Sequence, residues 1–380
     1  MARQHVMREI IPHSFLHQMN RIKSIYRSFL RFYGWLGYDY SLNRRQPVLR
    51  FLLNIFIPVV VLVILFSTRI PLLTDELGPL NDFFKLSAYC ITYISFMFEA
   101  WQNCSHFHSF WINFEQLYVR ISRLTEERLL RQEFINFHKT YLLLFILTVP
   151  LSFIMNLVYI LFAQMDGHFT ELVIIELAFI KIFIRIRHYH IVLYVQMITI
   201  LSKELEIQIE ICTNNRNYQT RLHTIKEIHL KLFFLSDQFQ TIFNKSLLLL
   251  VAVWHFDMLA NSYWFIHSIN LYGQKYTILQ LLPLVFNTLS LALMIKYCEK
   301  LRKVRRSTAA RIDGQKVQLW NSENYLHQLS ISCINQFRAL DSKLLAMGCV
   351  EVSYNPIASI IVSVCTYLAF FIEIGSRSMR

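Results

Sequence analysis

The chain has 380 residues, of which 54% are hydrophobic, 15% aromatic and 17% charged. A soluble chain of this length divides into two domains and carries more charge, so the composition points to one polytopic membrane domain. A net charge of +13 raises nucleic acid as a partner, but that charge sits between apolar runs, where it reads as a topology signal.

The first 50 residues are basic and hold no long apolar run. No apolar h-region with a small-residue cleavage site opens them, so no signal peptide is expected. Ile22, Ile25, Phe29 and Phe32 recur at helical spacing, which predicts an amphipathic helix from Arg21 to Phe32. Two uses fit it. Lys23, Arg27 and Arg31 would suit anionic lipid at a cytoplasmic surface. Alternatively, the helix packs beneath the membrane domain.

Seven apolar runs follow as candidate membrane spans: Phe51–Ile70, Asp82–Trp101, Thr140–Ala163, Thr170–Leu193, Leu247–His267, Tyr276–Tyr297 and Pro356–Gly375. Pro58 and Pro150 lie inside the first and third. The fourth is the weakest, because it carries Glu171, Glu176, Lys181, Arg185 and Arg187. Lys181 and Arg185 lie one turn apart and need acidic partners or a wet cavity. Asp257 and Glu176 are the candidate partners of Lys181, unless the bilayer boundary lies higher.

Lys and Arg sort the loops. The N-terminal segment holds nine and the second loop five. The fourth loop carries Lys203, Arg216, Arg221, Lys226 and Lys231, and the region from Lys296 to Lys343 holds ten. The first and third loops hold none, the fifth only Lys275, and the tail Arg377 and Arg380. The basic side is cytoplasmic, which places the N-terminus inside and the C-terminus outside. G-protein-coupled receptors have the opposite orientation, and their Asp-Arg-Tyr triplet does not close the third span.

The cytoplasmic segments are patterned. Residues 203–211 alternate polar and apolar, which alone favours a strand. Leu326, Leu329, Cys333, Phe337, Leu340, Leu344 and Met347 step by three or four, a heptad-like stripe that predicts a cytosolic helix ending at Gly348. The last span then opens at Asn355, a good N-cap, with Pro356 at the first helical position. Ser359, Ser363, Thr366, Phe370 and Glu373 share one face of it. A membrane helix with a hydroxyl stripe ending in a carboxylate packs on polar partners or lines water.

The run from Thr366-Tyr367 through five apolar residues to Glu373-Ile374 resembles the signature closing the last helix of insect gustatory receptors, which reads Thr-Tyr, five apolar residues, then Gln-Phe. Glu373 and Ile374 depart from it. The lead-in from Gly348 to Tyr354 is similar to the family's, with Val350 in place of the usual Phe. The orientation agrees with that family and with the related insect odorant receptors.

The resemblance implies an all-α membrane protein with seven transmembrane helices, a cytoplasmic N-terminus, an extracellular C-terminus and cytosolic helical extensions forming an anchor. It divides a single domain, 1–380, into a cytoplasmic segment 1–50, helices 1–6 with their loops over 51–297, an anchor segment 298–349 and a pore-lining helix 356–375. It also implies that the fourth helix continues through 203–211, against the alternation. The implied function is a ligand-gated cation channel subunit in the plasma membrane of sensory neurons. The implied assembly is a homo- or hetero-tetramer around a pore formed by the last helix. A small-molecule tastant would open it, with no cofactor and no enzymatic activity. Odorant receptor subunit is the nearest alternative; a transporter is the next, without the internal repeat or Gly-interrupted helices it would show.

Candidate pore and gate residues are Thr366, Tyr367, Phe370, Glu373 and Ile374. A ring of Glu373 carboxylates would concentrate cations, and Phe370 and Ile374 would constrict the path. Otherwise Glu373 reaches interfacial water and the apolar pair faces lipid or a neighbour. Candidate ligand contacts lie first on the fifth span, where Trp254, Asp257, Asn261 and Trp264 share a face. Aromatic rings would stack on a planar ligand and the polar groups orient it; otherwise neighbouring helices satisfy them. Tyr89, Tyr159, Glu176 and Gln280 lie at matching depth on other spans. His106/His108 and His188/His190 lack the Cys or carboxylate partners of a metal site. The seven cysteines form no spaced framework. Sequons at Asn103 and Asn244 fall near cytoplasmic ends and are expected to be unmodified.

Overall fold

The computed structural model describes residues 24–38, 51–52, 54–56, 58–60, 63, 77–164, 171–212, 218–271, 274–319, 331–332, 335–336, 345–346, 350–351 and 354–378. The described elements are α1 (Arg27–Trp35), α2 (Leu77–Gln102), α3 (Cys104–Ser122), α4 (Glu127–Gln164), α5 (Glu171–Cys212), α6 (Tyr218–Leu271), α7 (Gln274–Leu319), β1 (Leu345–Ala346), β2 (Val350–Glu351) and α8 (Tyr354–Ser378). Among the described residues the fold is all-helical apart from one two-residue antiparallel pairing, Leu345 with Glu351 and Ala346 with Val350. Described positions of the first span are helical.

Helices α5 and α6 form the centre. α6 packs on α7, α2, α5, α3 and α8, and α5 packs on α7, α6 and α4. Almost every side chain of α5 from Ile180 to Leu205 is buried. A helix buried all round has no lipid face to keep apolar, which is why the fourth span tolerates Arg185 and Arg187. α4 is the opposite case. Leu143, Ile146, Leu147, Leu151 and Ile154 are exposed along one side, as a lipid-facing helix requires. Two stretches, Glu127–Ile154 and Arg221–Tyr263, meet the length and hydropathy needed to cross a bilayer among the described residues.

Several helices outrun the hydrocarbon. α6 has 54 residues, or about 80 Å at 1.5 Å per residue, against a core of about 30 Å. α5 runs on through 203–211, so the alternation there is not a strand. Leu201, Leu205 and Ile209 are buried, and Glu204 and Gln208, one turn apart, turn toward Thr125. Thr125 Oγ1 donates to Glu204 at 2.5 Å and Gln208 Nε2 donates to Thr125 at 2.6 Å. The alternation was an apolar face interrupted by this buried polar step.

The N-terminal helix expected over Arg21 to Phe32 is helical at Ser24 and Ile25, turns at Tyr26 and continues as α1; Arg21 to Lys23 lie outside the described residues. It packs on the bundle: Tyr26, Phe29, Leu30 and Tyr33 are buried, while Arg27 and Arg31 face outward. Tyr26 Oη donates to the Phe134 carbonyl at 2.8 Å, and Phe29 meets Tyr141 edge to face at 4.9 Å. One expectation is corrected, the helical stripe ending at Met347: Leu345 and Ala346 are extended and pair with β2 instead of forming part of its last helical turn. Leu326, Leu329, Cys333, Phe337, Leu340 and Leu344 lie outside the described residues.

Candidate ligand site, helix stitch and pore helix

Four helices bring polar side chains together in the bundle. α6 presents Trp254, Asp257 and Asn261 at spacings of three and four, hence on one face. α2 supplies Lys85 and Tyr89, α5 supplies Lys181 and Arg185, and α7 supplies Asn287 and Ser290. All of them except Lys181 are buried, and Lys181 is half-buried. Lys85 Nζ lies 3.3 Å from Asp257 Oδ1 and donates to Asn261 Oδ1 at 2.6 Å. Asn287 Nδ2 donates to the other Asp257 oxygen. Arg185 donates to Asn287 Oδ1 at 2.7 Å and to Ser290 Oγ. Its guanidinium is flanked by Trp254 and Phe286, at 4.9 and 4.5 Å from their ring centres. Lys181 sits 5.2 Å from the Tyr89 ring centre, within the field of Asp257.

Such a cluster holds charge in a low-dielectric interior only because each charge has a partner or a ring face. The ion-pair partner of Asp257 is Lys85; Lys181 lies within its field, and the side chain of Glu176, the other candidate partner of Lys181, lies outside the described ones. Of the expected ligand contacts, Tyr89, Trp254, Asp257 and Asn261 are therefore brought together. The side chains of Tyr159, Glu176, Trp264 and Gln280 lie outside the described ones. Lys85, Asn287 and Ser290 were missed. Lys85 had a signal, being the single Lys or Arg in the second span. Asn287 and Ser290 are ordinary polar residues with none.

A second buried network lies where α6 leaves the expected bilayer. Arg187 Nη2 and Glu99 Oε2 are 3.1 Å apart. Arg187 also donates to Ser246 Oγ at 3.1 Å and to the Tyr38 carbonyl at 3.3 Å, and it meets His190 at 3.1 Å. The Glu99 carboxylate receives the Lys245 N–H at 2.7 Å and the Ser246 N–H at 3.1 Å. One turn further on, just past the end of α2, Asn103 Nδ2 donates to the Thr241 and Ile242 carbonyls, each at 3.2 Å. These two amides and two carbonyls are i→i−4 partners of successive rungs of α6, so α2 stitches across the ladder at one point. Side chains engaging a helix ladder mark sites of bending. His188 and His190 are core residues here; His190 stacks on Tyr33 with ring centres 4.2 Å apart.

α8 packs on α6 and α7 through one narrow side. Ile360 and Val364 are buried, Leu368 is packed against the core, and Tyr367 is half-buried. Ser359, Thr366, Phe370 and Glu373 are exposed, as are Val362 and Cys365. Thr366 Oγ1 donates to the Val362 carbonyl at 2.9 Å and Ser359 Oγ to Asn355 at 3.3 Å. Those hydroxyls are satisfied within the helix and require no partner. Ser363 departs from the stripe by meeting His255 Nε2 at 3.4 Å. The side chain of Ile374 lies outside the described ones.

The sequence model of the 7tm chemosensory receptor family matches residues 24–376. Among solved structures, the chain is similar to the insect olfactory receptor OR5 from Machilis hrabei, with a TM-score of 0.61 and 11% identity over 95% of this chain and 100% of that one. The same receptor in complex with eugenol gives a TM-score of 0.54 and 12% identity over the same shares. No curated protein matches the chain. The structural likeness establishes the fold and the family match covers almost every described element: the chain belongs to the 7tm chemosensory receptor family.

Proposed function

We propose that this chain is a gustatory receptor subunit of a ligand-gated cation channel, with α8 lining the pore and a small-molecule tastant bound in the α2–α5–α6–α7 cluster. The observation that carries the pore role is the lopsided packing of α8. Its apolar Ile360 and Val364 seat it on its own bundle, while Thr366, Phe370 and Glu373 are left on the open side. In hydrocarbon, a stripe that ends in a carboxylate is unfavourable; around a shared aqueous axis it is useful. A tetramer places four copies of that stripe around such an axis, with the N-terminus cytoplasmic, the C-terminus extracellular and the extensions of α5, α6 and α7 in the cytosol. The proposed location is the plasma membrane of sensory neurons.

The ligand reading rests on buried polar and aromatic groups from four helices converging at one level. That OR5 has been solved with eugenol supports small-molecule binding on this fold. A second reading, an odorant receptor subunit, is favoured by the same fold likeness. The C-terminal Thr366-Tyr367 signature and its lead-in favour the gustatory one. The test is whole-cell recording from cells expressing the chain, alone and with partner subunits, against tastant and odorant panels. Currents carried by cations and evoked by tastants support the proposal. A surface-expressed chain that passes no ligand-evoked current in any combination overturns it.

A further inference from the structure

In the four-helix cluster the donors without a hydrogen bond outnumber the acceptors: among its described side chains Asp257 Oδ1 also lacks one, but it faces the Lys85 ammonium at 3.3 Å. Asp257 accepts from Asn287 and faces Lys85, Asn261 Oδ1 accepts from Lys85, and Asn287 Oδ1 and Ser290 Oγ accept from Arg185. Three donor atoms then have no hydrogen-bond partner among the described residues: Arg185 Nε, Trp254 Nε1 and Asn261 Nδ2. Their residues are 3%, 2% and 3% exposed. Native interiors rarely leave such atoms unsatisfied, and a group of them in one place calls for an occupant.

Nor can the side chains turn to satisfy themselves. Flipping the Asn261 amide would aim its NH2 at the Lys85 ammonium, so Lys85 fixes the orientation. Both Arg185 Nη atoms are engaged and its plane is held between Trp254 and Phe286. The indole N–H can only donate. All three therefore request an acceptor from outside the protein.

We infer that the site takes an organic acid, its carboxylate received by Arg185 and Trp254 and a second oxygen acceptor received by Asn261. This rests on the reading of the cluster as the ligand site. Arg185 and Trp254 are in contact, so one carboxylate serves both, one oxygen accepting from Arg185 Nε and the other from Trp254 Nε1, which a single carbonyl cannot do as well. Asn261 lies two helical turns from Trp254, about 10 Å along α6, which is beyond the same carboxylate and sets the span of the molecule. The Tyr89, Trp254 and Phe286 rings suit an apolar or aromatic body between the two polar ends. Asp257 is already neutralised by Lys85 and does not repel the acid.

The test uses the full chain, solubilised in detergent, in thermal-melt titrations with benzoate, phenylacetate and 3-(4-hydroxyphenyl)propanoate, each beside its methyl ester. The acids are expected to raise the melting temperature in a saturable way, the hydroxyphenylpropanoate most, and the esters to act at least roughly tenfold more weakly. Trp254→Phe keeps the ring and removes the N–H; it is expected to weaken the acids roughly tenfold while leaving the unliganded melt within a few degrees. Arg185→Lys gives a second, charge-preserving check. Esters that match their acids, or no shift from any acid, overturn the acid assignment without touching the reading of the cluster as the ligand site. Acid-induced shifts unchanged in both variants would instead show that the cluster is not the ligand site.

Discussion

Glu99 of α2 and Arg187 of α5 form an ion pair at 3.1 Å with side chains 1% and 0% exposed, and both ends are tied to Ser246 of α6. A charge pair this buried survives because both groups make further hydrogen bonds, Arg187 to Ser246 and the Tyr38 carbonyl and Glu99 to the Lys245 and Ser246 amides. Breaking one partner leaves the other buried and uncompensated, at a cost of about 3–5 kcal/mol. Glu99→Ala and Arg187→Met are each expected to lower folded yield sharply in size-exclusion profiles of the solubilised chain. The double variant is expected to be less harmful than the sum of the two, since it buries no lone charge.

The same site predicts an effect of Asn103. Its Nδ2 is committed to the Thr241 and Ile242 carbonyls, so a sugar on that atom would remove both contacts. The sequon is expected to remain unmodified, read as no mobility shift on glycosidase treatment. Asn103→Ala is expected to cost about 1 kcal/mol, since the bonds it removes are exposed and part-buried and water can take them over.

Asp257→Asn leaves Lys85 without its buried countercharge. It is expected to destabilise the fold by about 3–5 kcal/mol. Pairing it with Lys85→Met should recover much of the loss. Thermal melts of the four proteins give the coupling directly; additive losses would show that Lys85 and Asp257 do not act as a pair.

In the part of α6 that precedes the expected span, burial and then the Arg305 guanidinium push His229 down to about 3. An unfolded His titrates near 6.5. Between those values the unfolded chain binds a proton that the folded chain refuses, so stability is full above about 6.5 and falls as pH drops toward 3. His229→Gln is expected to flatten the melting-temperature slope across that window.

Cysteine chemistry separates two helices. Cys298 is buried, and burial, then Glu299, pushes its thiol up to about 12; it is expected to resist maleimide at neutral pH. Cys365 is exposed on α8 next to Thr366. On the pore reading, a membrane-impermeant methanethiosulfonate reagent applied to open channels alters the current, and Cys365→Ser abolishes that effect.

Much of the fold was legible because apolar run length and loop charge are properties of single segments. The helices containing residues 82–101, 140–163, 247–267 and 276–297 follow directly from them. What was not legible depends on neighbours. The 203–211 segment reads as alternating until Thr125 arrives from another helix to explain Glu204 and Gln208. The charges of the fourth span look misplaced until that helix proves to be central. Tyr89, Trp254, Asp257 and Asn261 could be listed as candidates, but their convergence with Lys85, Asn287 and Ser290 needs four helices in register, which no local pattern encodes. The stitch at Glu99 and Asn103 was equally hidden, since its partners are backbone atoms of a helix about 140 residues away.

The pore assignment is tested most directly by comparing ionic permeability in channels carrying Glu373 and Glu373→Gln, recorded with the same ligand. Glu373 is exposed on the open side of α8, where a ring of carboxylates would gather cations. The account predicts that the Gln variant still opens but shows lower single-channel conductance at low ionic strength and altered divalent permeability. Identical conductance and selectivity in the two channels would contradict it and remove Glu373 from the permeation path.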